Sequence, residues 1–343
     1  MLRRRCTRFA VLATALLLTV ACKESSPASS GSQTASQRAG RFGALRDLVL
    51  VDSSEGLFVD RFESTQKDWA EFAATPAGAA AGAGEVSLVG RMSLPVGGMS
   101  LQQARSFARW RCGRLPSERE WLRVTRGGGN APFPWGSKED ATRANTGDLA
   151  LGERMPVGTF ESGRRAGGDA PYDLIGNVRE WTESVPLEWC QDDSPDPSSF
   201  WRSVRRVRRQ PCLGQWADRF GIVPGGVVAV LGGEGVPRRC VGADFETQMR
   251  FVRQRRHDTQ AAGERRMRTG VRVYTTAGEL LARVAAIPGS VSAVEQLQLA
   301  AFVARQEHRA VLREAYERAP ISATTLAPDS AGAALVAEVL RAP

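Results

Sequence analysis

The sequence predicts an α+β fold, in which a loop-rich mixed domain is followed by a helical C-terminal extension. Two short apolar runs, 48–51 and 57–59, have the length and composition of strands. The stretch 127–230 is dominated by Gly, Pro, Asp and Trp and shows no sustained period, which is typical of long loops. Beyond residue 278, apolar residues recur at helical spacing. We therefore expect strands and short helices around a large irregular region.

Composition indicates a globular protein with little scope for histidine chemistry. Of the 343 residues, 42% are hydrophobic and 24% charged, so a substantial core is expected. The two histidines, His257 and His308, are too few for a metal centre built from three imidazoles. The formal net charge of +9 includes the arginines at the start of the chain, so it overstates the charge of the folded part.

The first 21 residues predict a bacterial lipoprotein signal peptide. Basic residues precede an apolar run from Phe9 to Ala21 that is too short to span a bilayer as a mature helix. The run ends in Thr-Val-Ala-Cys, which resembles a lipobox and implies that Cys22 is diacylated. The alternative is an ordinary cleaved signal with an incidental cysteine. Residues 22–44, rich in Ser, Ala and Gly, predict a flexible tether.

The predicted signal peptide implies that the protein is exported, and this determines its expected location, its partners and the chemistry of its cysteines. We expect a lipid-anchored protein of the bacterial cell envelope, facing the periplasm or attached to the outer membrane, with no nucleic-acid partner. In an oxidising compartment disulfides are the default for Cys112, Cys190, Cys212 and Cys240. Of the three possible pairings we favour Cys190 with Cys212, which closes a short loop, and Cys112 with Cys240. The other two pairings stay open.

Four helix starts carry a capping signature, a Ser or Thr followed three residues later by an acid or amide. They are Thr65 with Asp68, Ser100 with Gln103, Ser117 with Glu120, and Ser292 with Glu295. Large apolar residues near these helices and in the loop region are expected in the core, namely Trp69, Phe107, Leu115, Trp121, Trp135 and Trp181.

Several motifs occur in the order found in one known family. They are residues 58–65, 95–100, 113–121, 133–136, 143–146, 172–182 and 269–273. Together they resemble the formylglycine-generating enzyme, or sulfatase-modifying factor, family. The resemblance spans 45–276 and implies a C-type-lectin-like mixed α/β domain, which leaves 277–343 as the helical extension.

The resemblance also implies calcium sites. Asp173, Gly176, Val178 and Glu180 stand at the positions of one family site, with two carboxylates and two backbone carbonyls as the hard oxygen donors that calcium prefers. The alternative is a turn in which Asp173 and Glu180 accept hydrogen bonds from nearby amides.

The family's other calcium site begins at the positions of Asn145 and Thr146. Its downstream aspartate loop is shortened here, and Asp148 is the nearest carboxylate.

The family's reaction is where this sequence departs from the pattern. The resemblance implies oxidation of a protein cysteine to formylglycine with oxygen and a copper ion held by two cysteines, because copper(I) prefers soft thiolates. The matching stretch, 231–240, holds one cysteine, Cys240, and has Gly235 five positions earlier. One thiolate cannot form a two-sulfur site, so copper is not expected. Iron-dependent relatives that form sulfoxides use three histidines, which this chain lacks.

The remaining feature is a basic stretch, Arg202 to Arg209, inside an apparent insertion. It is either a solvated charged loop or a contact for anionic lipid, lipopolysaccharide or an acidic protein. The sequence thus predicts a non-catalytic binding or scaffold module, with a protein or glycan as partner. The alternative is a formylglycine-generating-type oxidase that modifies a protein cysteine, with Cys240 as its candidate catalytic residue and a second cysteine brought near by the fold.

Overall fold

The computed structural model describes residues 42–127, 129–165, 169–185, 237–253, 258–321 and 326–341. Several predictions lie outside these ranges. They concern the signal peptide and Cys22, tether residues 23–41, Cys190 and Cys212, the basic stretch from Arg202 to Arg209, and residues 231–236.

The first sheet has three antiparallel strands in the order β1-β2-β7. Its members are β1 (Leu48–Asp52), β2 (Leu57–Asp60) and β7 (Tyr274–Thr276), and the first two confirm the strands predicted at 48–51 and 57–59. The Asp52 carboxylate accepts a hydrogen bond of 3.0 Å from the Ser54 amide, which closes the turn between β1 and β2.

The second sheet has four strands in the order β5-β4-β3-β6. They are β3 (Arg179–Trp181), β4 (Arg238–Val241), β5 (Asp258–Gln260) and β6 (Thr269–Gly270). Strand β3 pairs antiparallel with β4 and parallel with β6. The residues between β6 and β7 cross from one sheet to the other, and the carbonyls of Val271 and Val273 accept hydrogen bonds from Ser64 and Asp60. Arg272 is therefore held between the sheets.

Five helices of the mixed domain lie within the described ranges. They are α1 (Gln66–Ala73), α2 (Pro76–Ala80), α3 (Leu101–Trp110), α4 (Glu118–Arg126) and α5 (Met249–Arg253). The capping boxes predicted at Thr65, Ser100 and Ser117 are present with both reciprocal hydrogen bonds. Between α4 and β3 the described residues form loops with two short 3-10 turns, as the composition predicts.

In the described part of the C-terminal extension there are four helices, α6 (Ala277–Ala285), α7 (Ala293–Val303), α8 (Gln306–Arg318) and α9 (Ala331–Leu340). The predicted capping box at Ser292 with Glu295 opens α7. None of the helices in the described ranges is long and apolar enough to cross a bilayer.

The extension shares a hydrophobic core with the start of the mixed domain. Leu280, Leu299 and Leu312 pack with Phe58 of β2 and with Phe42. Phe42 is 1% exposed, so packed residues begin before the predicted boundary at residue 45. All described residues belong to one compact unit, and the extension is part of it.

The predicted bridge between Cys112 and Cys240 is not formed, so this pairing is corrected. The two side chains lie in different cores. Cys112 follows α3 in a left-handed conformation and packs with the C-terminal helices. Cys240 pairs in register with Trp181 on β3, and it packs in a second core with Trp69, Phe107 and Leu115.

The aromatic residues predicted for the core are mostly buried as expected. Trp69, Phe107 and Trp181 are fully enclosed, whereas Trp135 is half-buried and stacks on Phe133. Trp121 belongs to a third cluster with Phe133, Ile175 and Val241.

Candidate functional site

The motif at 172–182 forms a tight turn that leads into β3. Asp173, Gly176 and Asn177 all have left-handed backbone conformations. A Cβ atom at Gly176 would lie 2.3 Å from the Asn145 carbonyl oxygen, so glycine is required there. The turn therefore sits directly against the loop that carries Asn145.

Arg272 is the centre of the buried polar network beside this turn. Its Nε donates to Glu180 Oε1 at 2.7 Å. Its two terminal nitrogens donate to backbone carbonyls, among them Asp60 at 3.1 Å and Tyr172 at 2.8 Å. Arg272 and Glu180 are 0% and 1% exposed, so the pair is desolvated and its geometry is fixed by hydrogen bonds on every side.

Glu63 holds the turn from the opposite direction. Its carboxylate accepts hydrogen bonds from the Val178 amide at 3.0 Å and from Asn177 Nδ2 at 2.7 Å. The role of Glu63 is not predicted by the sequence. It stands inside a matched motif, but its partner Val178 is 115 residues further along the chain, so no local signal could reveal the contact.

Burial raises the pKa of all three carboxyl groups in this network. The pKa values of Glu63 and Glu180 are raised by desolvation, and the positive charge of Arg272 only partly opposes the shift. The pKa of Asp173 is raised for the same reason, although the Gly158 amide donates a hydrogen bond to its carboxylate. Arg154 also attracts Glu63 electrostatically, so three acids share two arginines and the network stays short of positive charge.

This charge balance bears on the calcium site that the family resemblance implies. Glu180 Oε2 is buried and has no hydrogen-bond partner among the described residues. An open carboxylate oxygen, a second carboxylate at Asp173 and a deficit of positive charge fit a hard divalent cation. Within the described ranges no group of three or more His, Cys, Asp or Glu side chains is placed to hold a metal. The site would therefore need the backbone carbonyls of Gly176 and Val178.

The second implied calcium site fits less well. Asn145 Oδ1 and Thr146 Oγ1 are buried without a hydrogen-bond partner in the part of the chain that the structure describes. The nearest acid in sequence, Asp148, instead accepts a hydrogen bond from the Met249 amide at the start of α5. Asp148 is thus already engaged as a helix cap.

A pocket of about 480 Å³ lies beside β4, and Ile175 and Arg179 of the 172–182 motif help to line it. One wall is apolar and includes Trp121, Leu122, Ile175 and Val252. The volume is within the range of sites that hold a small molecule or a side chain of a partner.

Five of the charged residues that line this pocket are paired with one another. Arg179 forms ion pairs with Asp244 and, at 3.4 Å, with Asp258. Arg268 forms ion pairs with Glu246 and, at 3.7 Å, with Asp244. A charged ligand would have to displace these partners, whereas an uncharged group would leave them intact.

Cys240 also lines the pocket, but its thiol is poorly suited to redox chemistry. Its Sγ atom lies 3.8 Å from Gln260 Oε1, an arrangement in which the thiol donates to the amide oxygen. Burial raises the pKa of Cys240, and the nearby Asp258 carboxylate raises it further. The thiolate is the form that attacks and binds metals, and it is disfavoured here.

Two further residues, Arg114 and His308, belong to the scaffold. Arg114 donates to Glu120 at 2.6 Å and to Glu279 at 2.8 Å, so it joins the start of α4 to α6. His308 is buried, its Nδ1 lies 3.1 Å from the Phe302 carbonyl oxygen, and desolvation lowers its pKa to about 4. His308 thus lies in the helical core, outside the pocket.

The domain is thus a loop-rich α+β domain in which a buried arginine between β6 and β7 is tied to the 172–182 turn. Residues 49–277 match the family model described as "Sulfatase-modifying factor enzyme 1-like domain", and the chain belongs to that family.

Similar proteins include one whose name calls it inactive and one whose name calls it an enzyme. The chain is 36% identical over 120 residues to "Inactive C-alpha-formylglycine-generating enzyme 2" of Bos taurus, covering 32% of this chain and 37% of that protein. It is 39% identical over 105 residues to "Formylglycine-generating enzyme" of Mycobacterium tuberculosis, covering 27% and 34%. The chain thus spans about a third of the length of these relatives.

A solved structure, PvdO from Pseudomonas aeruginosa, aligns with a TM-score of 0.42 and 19% identity, over 64% of this chain and 79% of that one.

Proposed function

We propose that this protein is a lipid-anchored protein of the bacterial cell envelope whose sulfatase-modifying-factor-like domain binds a partner and does not oxidise cysteine. The observation that carries this proposal is the state of Cys240. It is the single cysteine of the stretch that matches the copper motif, and its thiol is buried, hydrogen-bonded and held in the protonated form. Copper(I) and nucleophilic chemistry both need an accessible thiolate.

Alkylation of Cys240 tests this state directly. The reduced native protein is treated with iodoacetamide near pH 8, and the labelled peptides are mapped by mass spectrometry before and after unfolding. We expect Cys240 to be labelled only after unfolding. Rapid labelling in the native protein would contradict the proposal, because it would show an accessible thiolate.

In this proposal the binding site is the pocket beside Cys240, and its ligand is an uncharged group of a protein or glycan. An apolar wall next to self-paired charges favours such a group over an ion. Leu122→Trp, which fills the pocket, should abolish capture of the partner from envelope membranes. Leu151→Trp, at an exposed apolar residue outside the pocket lining, is the matched control and should leave capture unchanged.

One observation favours the alternative function, an oxidase of the formylglycine-generating type. Cys240 borders the pocket, so a substrate cysteine placed there would be close to it. The second thiol would have to come from Cys190 or Cys212, because Cys112 lies in a different core. This alternative requires two cysteines to bind one copper ion.

We also propose that calcium binds at Asp173 and Glu180, supported by the open Glu180 oxygen and the shortage of positive charge around it. Calcium should then raise the melting temperature in a chelator-reversible way, and Asp173→Asn with Glu180→Gln should remove the effect. Asp140→Asn, at a carboxylate paired with Arg143 away from the turn, is the control. Identical melting of the unsubstituted protein in calcium and in chelator would reject the site.

The lipid anchor is tested in cells. Metabolic labelling with a radioactive fatty acid should label the protein, and Cys22→Ser should remove the label. An unlabelled protein would favour the alternative of an ordinary cleaved signal.

A further inference from the structure

Helix α7 is apolar on two opposite faces. One face, with Leu299, Phe302 and Val303, is buried in the shared core. The opposite face is exposed and consists of Ala293, Val294, Leu297, Ala301 and the capping residue Ala304. We call this exposed face the outer stripe. Its members recur at the spacing of one helical face, directly opposite the buried side chains.

The outer stripe lacks the charges that normally cover a surface helix. Glu295 is the single charged residue of α7, and it is buried because it caps Ser292. Leu297 is 71% exposed and Val294 is 51% exposed. A helix that is apolar on its outer side as well as its inner side normally has a second apolar surface to contact.

The first described residues of the chain lie against the edge of this stripe. A Cβ atom at Gly43 would lie 3.4 Å from Nε2 of Gln298, which flanks the stripe on α7. The turn Ala44–Asp47 packs on the same helix. Arg305, just past α7, donates to the Arg46 carbonyl at 2.8 Å. The described part of the chain therefore begins beside α7.

We propose that the outer stripe of α7 lies on the surface of the lipid bilayer as a second membrane contact. The inference rests on the lipid anchor proposed above. If Cys22 is acylated, residues 23–41 link the acylated cysteine to the edge of the stripe, and 19 residues can reach at most about 65 Å. The anchor would bring α7 to the bilayer surface, and the apolar side chains of Val294 and Leu297 would insert there by their own affinity for lipid.

The size of the stripe argues for a lipid surface over a second copy of the chain. An 11-residue helix is about 17 Å long, so one apolar face covers roughly 200 Å². A stable dimer usually buries about 800 Å² on each partner. A membrane contact needs no such area, because an interfacial helix inserts only a few apolar side chains.

Basic side chains stand at the end of the stripe where the chain enters. Arg46 has a side chain that is 77% exposed, and Arg305 is exposed beside it. The exposed pair of Arg46 with Asp47, at 3.4 Å, neutralises little of its charge because such pairs are weak in water. This placement suits anionic lipid headgroups next to the apolar stripe.

The test uses the chain from residue 22 onward with Cys22→Ser, which carries no acyl group. Flotation with vesicles of phosphatidylethanolamine and phosphatidylglycerol measures its partition into lipid. We expect the protein to bind vesicles, and we expect Val294→Asp and Leu297→Asp each to weaken this binding about tenfold or more. Each substitution places a charge where an apolar side chain would be buried in the lipid. Val89→Asp is the matched control, since Val89 is 54% exposed and lies in a loop far from α7 in sequence.

Three results separate this inference from the anchor proposal. Vesicle binding that is lost with Leu297→Asp but kept with Val89→Asp supports the stripe, even if fatty-acid labelling of Cys22 fails and the anchor is rejected. Absence of vesicle binding, or equal binding by all variants, overturns the stripe whatever the labelling shows. A dimer in sedimentation that Leu297→Asp dissolves also overturns it, in favour of a second copy. Unchanged melting of the Asp variants verifies that they fold.

Discussion

Arg272 is the residue on which the buried centre of the domain depends. It satisfies Glu180 and four backbone carbonyls from two separate chain segments, so its guanidinium joins the first sheet, the second sheet and the 172–182 turn. Removal of one partner of a buried ion pair leaves an uncompensated charge and several open carbonyl groups.

We therefore expect Arg272→Met to lower the free energy of unfolding by about 3–5 kcal/mol. Chemical denaturation measures the change. Arg318→Met is the matched control, because Arg318 pairs with Glu314 on the surface of α8 with both side chains largely exposed. An equal effect of the two substitutions would contradict the central role of Arg272.

Asp60 provides a pH dependence of predictable sign. Burial raises its pKa from 3.8 to about 6, although Arg111 donates to its carboxylate at 3.0 Å. Because the folded value is above the unfolded value, its contribution is fully present below about pH 4. That contribution is lost as the pH rises through 6.

The stability of the unsubstituted protein relative to Asp60→Asn should thus fall by about 2–3 kcal/mol between pH 4 and pH 7. Denaturation curves at several pH values measure this difference. Asp169→Asn is the control, because Arg61 lowers the pKa of Asp169 and keeps it ionised between pH 5 and pH 7. A difference for Asp60→Asn that does not vary with pH would refute the assignment.

For single elements, the sequence predicts contacts between residues that are close along the chain. It does not predict contacts between residues that are far apart along the chain. The capping boxes at Thr65, Ser100, Ser117 and Ser292 need only residues three apart, and all four are confirmed. The prediction of a disulfide between Cys112 and Cys240 is wrong, because the number of cysteines does not determine which core each side chain enters.

Helix α7 offers a matched pair of leucines that measures its role in the core. Leu299 is fully buried and Leu297 is 71% exposed on the same helix. Leu299→Ala should lower the free energy of unfolding by about 2–5 kcal/mol because it leaves a cavity. Leu297→Ala should change it by less than about 0.5 kcal/mol. Similar losses for both would show that α7 is not packed as described.

For the whole molecule, the extension is as much a part of the fold as the family domain. The family match ends at residue 277, where α6 begins, yet α6 to α9 share their core with Phe42 and Phe58. Helical spacing and family motifs predict the two regions separately. Their common core could not be predicted, because nothing in the amphipathic pattern of α6 identifies which strand it covers.

The proposal that this domain does not bind copper(I) through Cys240 can be tested by copper(I) titration of the reduced, full-length protein. A chromophoric copper(I) chelator serves as the competitor, and Cys240→Ser is titrated in parallel. We expect no stoichiometric tight binding and identical curves for both proteins, because the Cys240 thiol is buried and its pKa is raised. Tight binding of one copper ion per chain that Cys240→Ser abolishes would contradict it and establish a two-cysteine site.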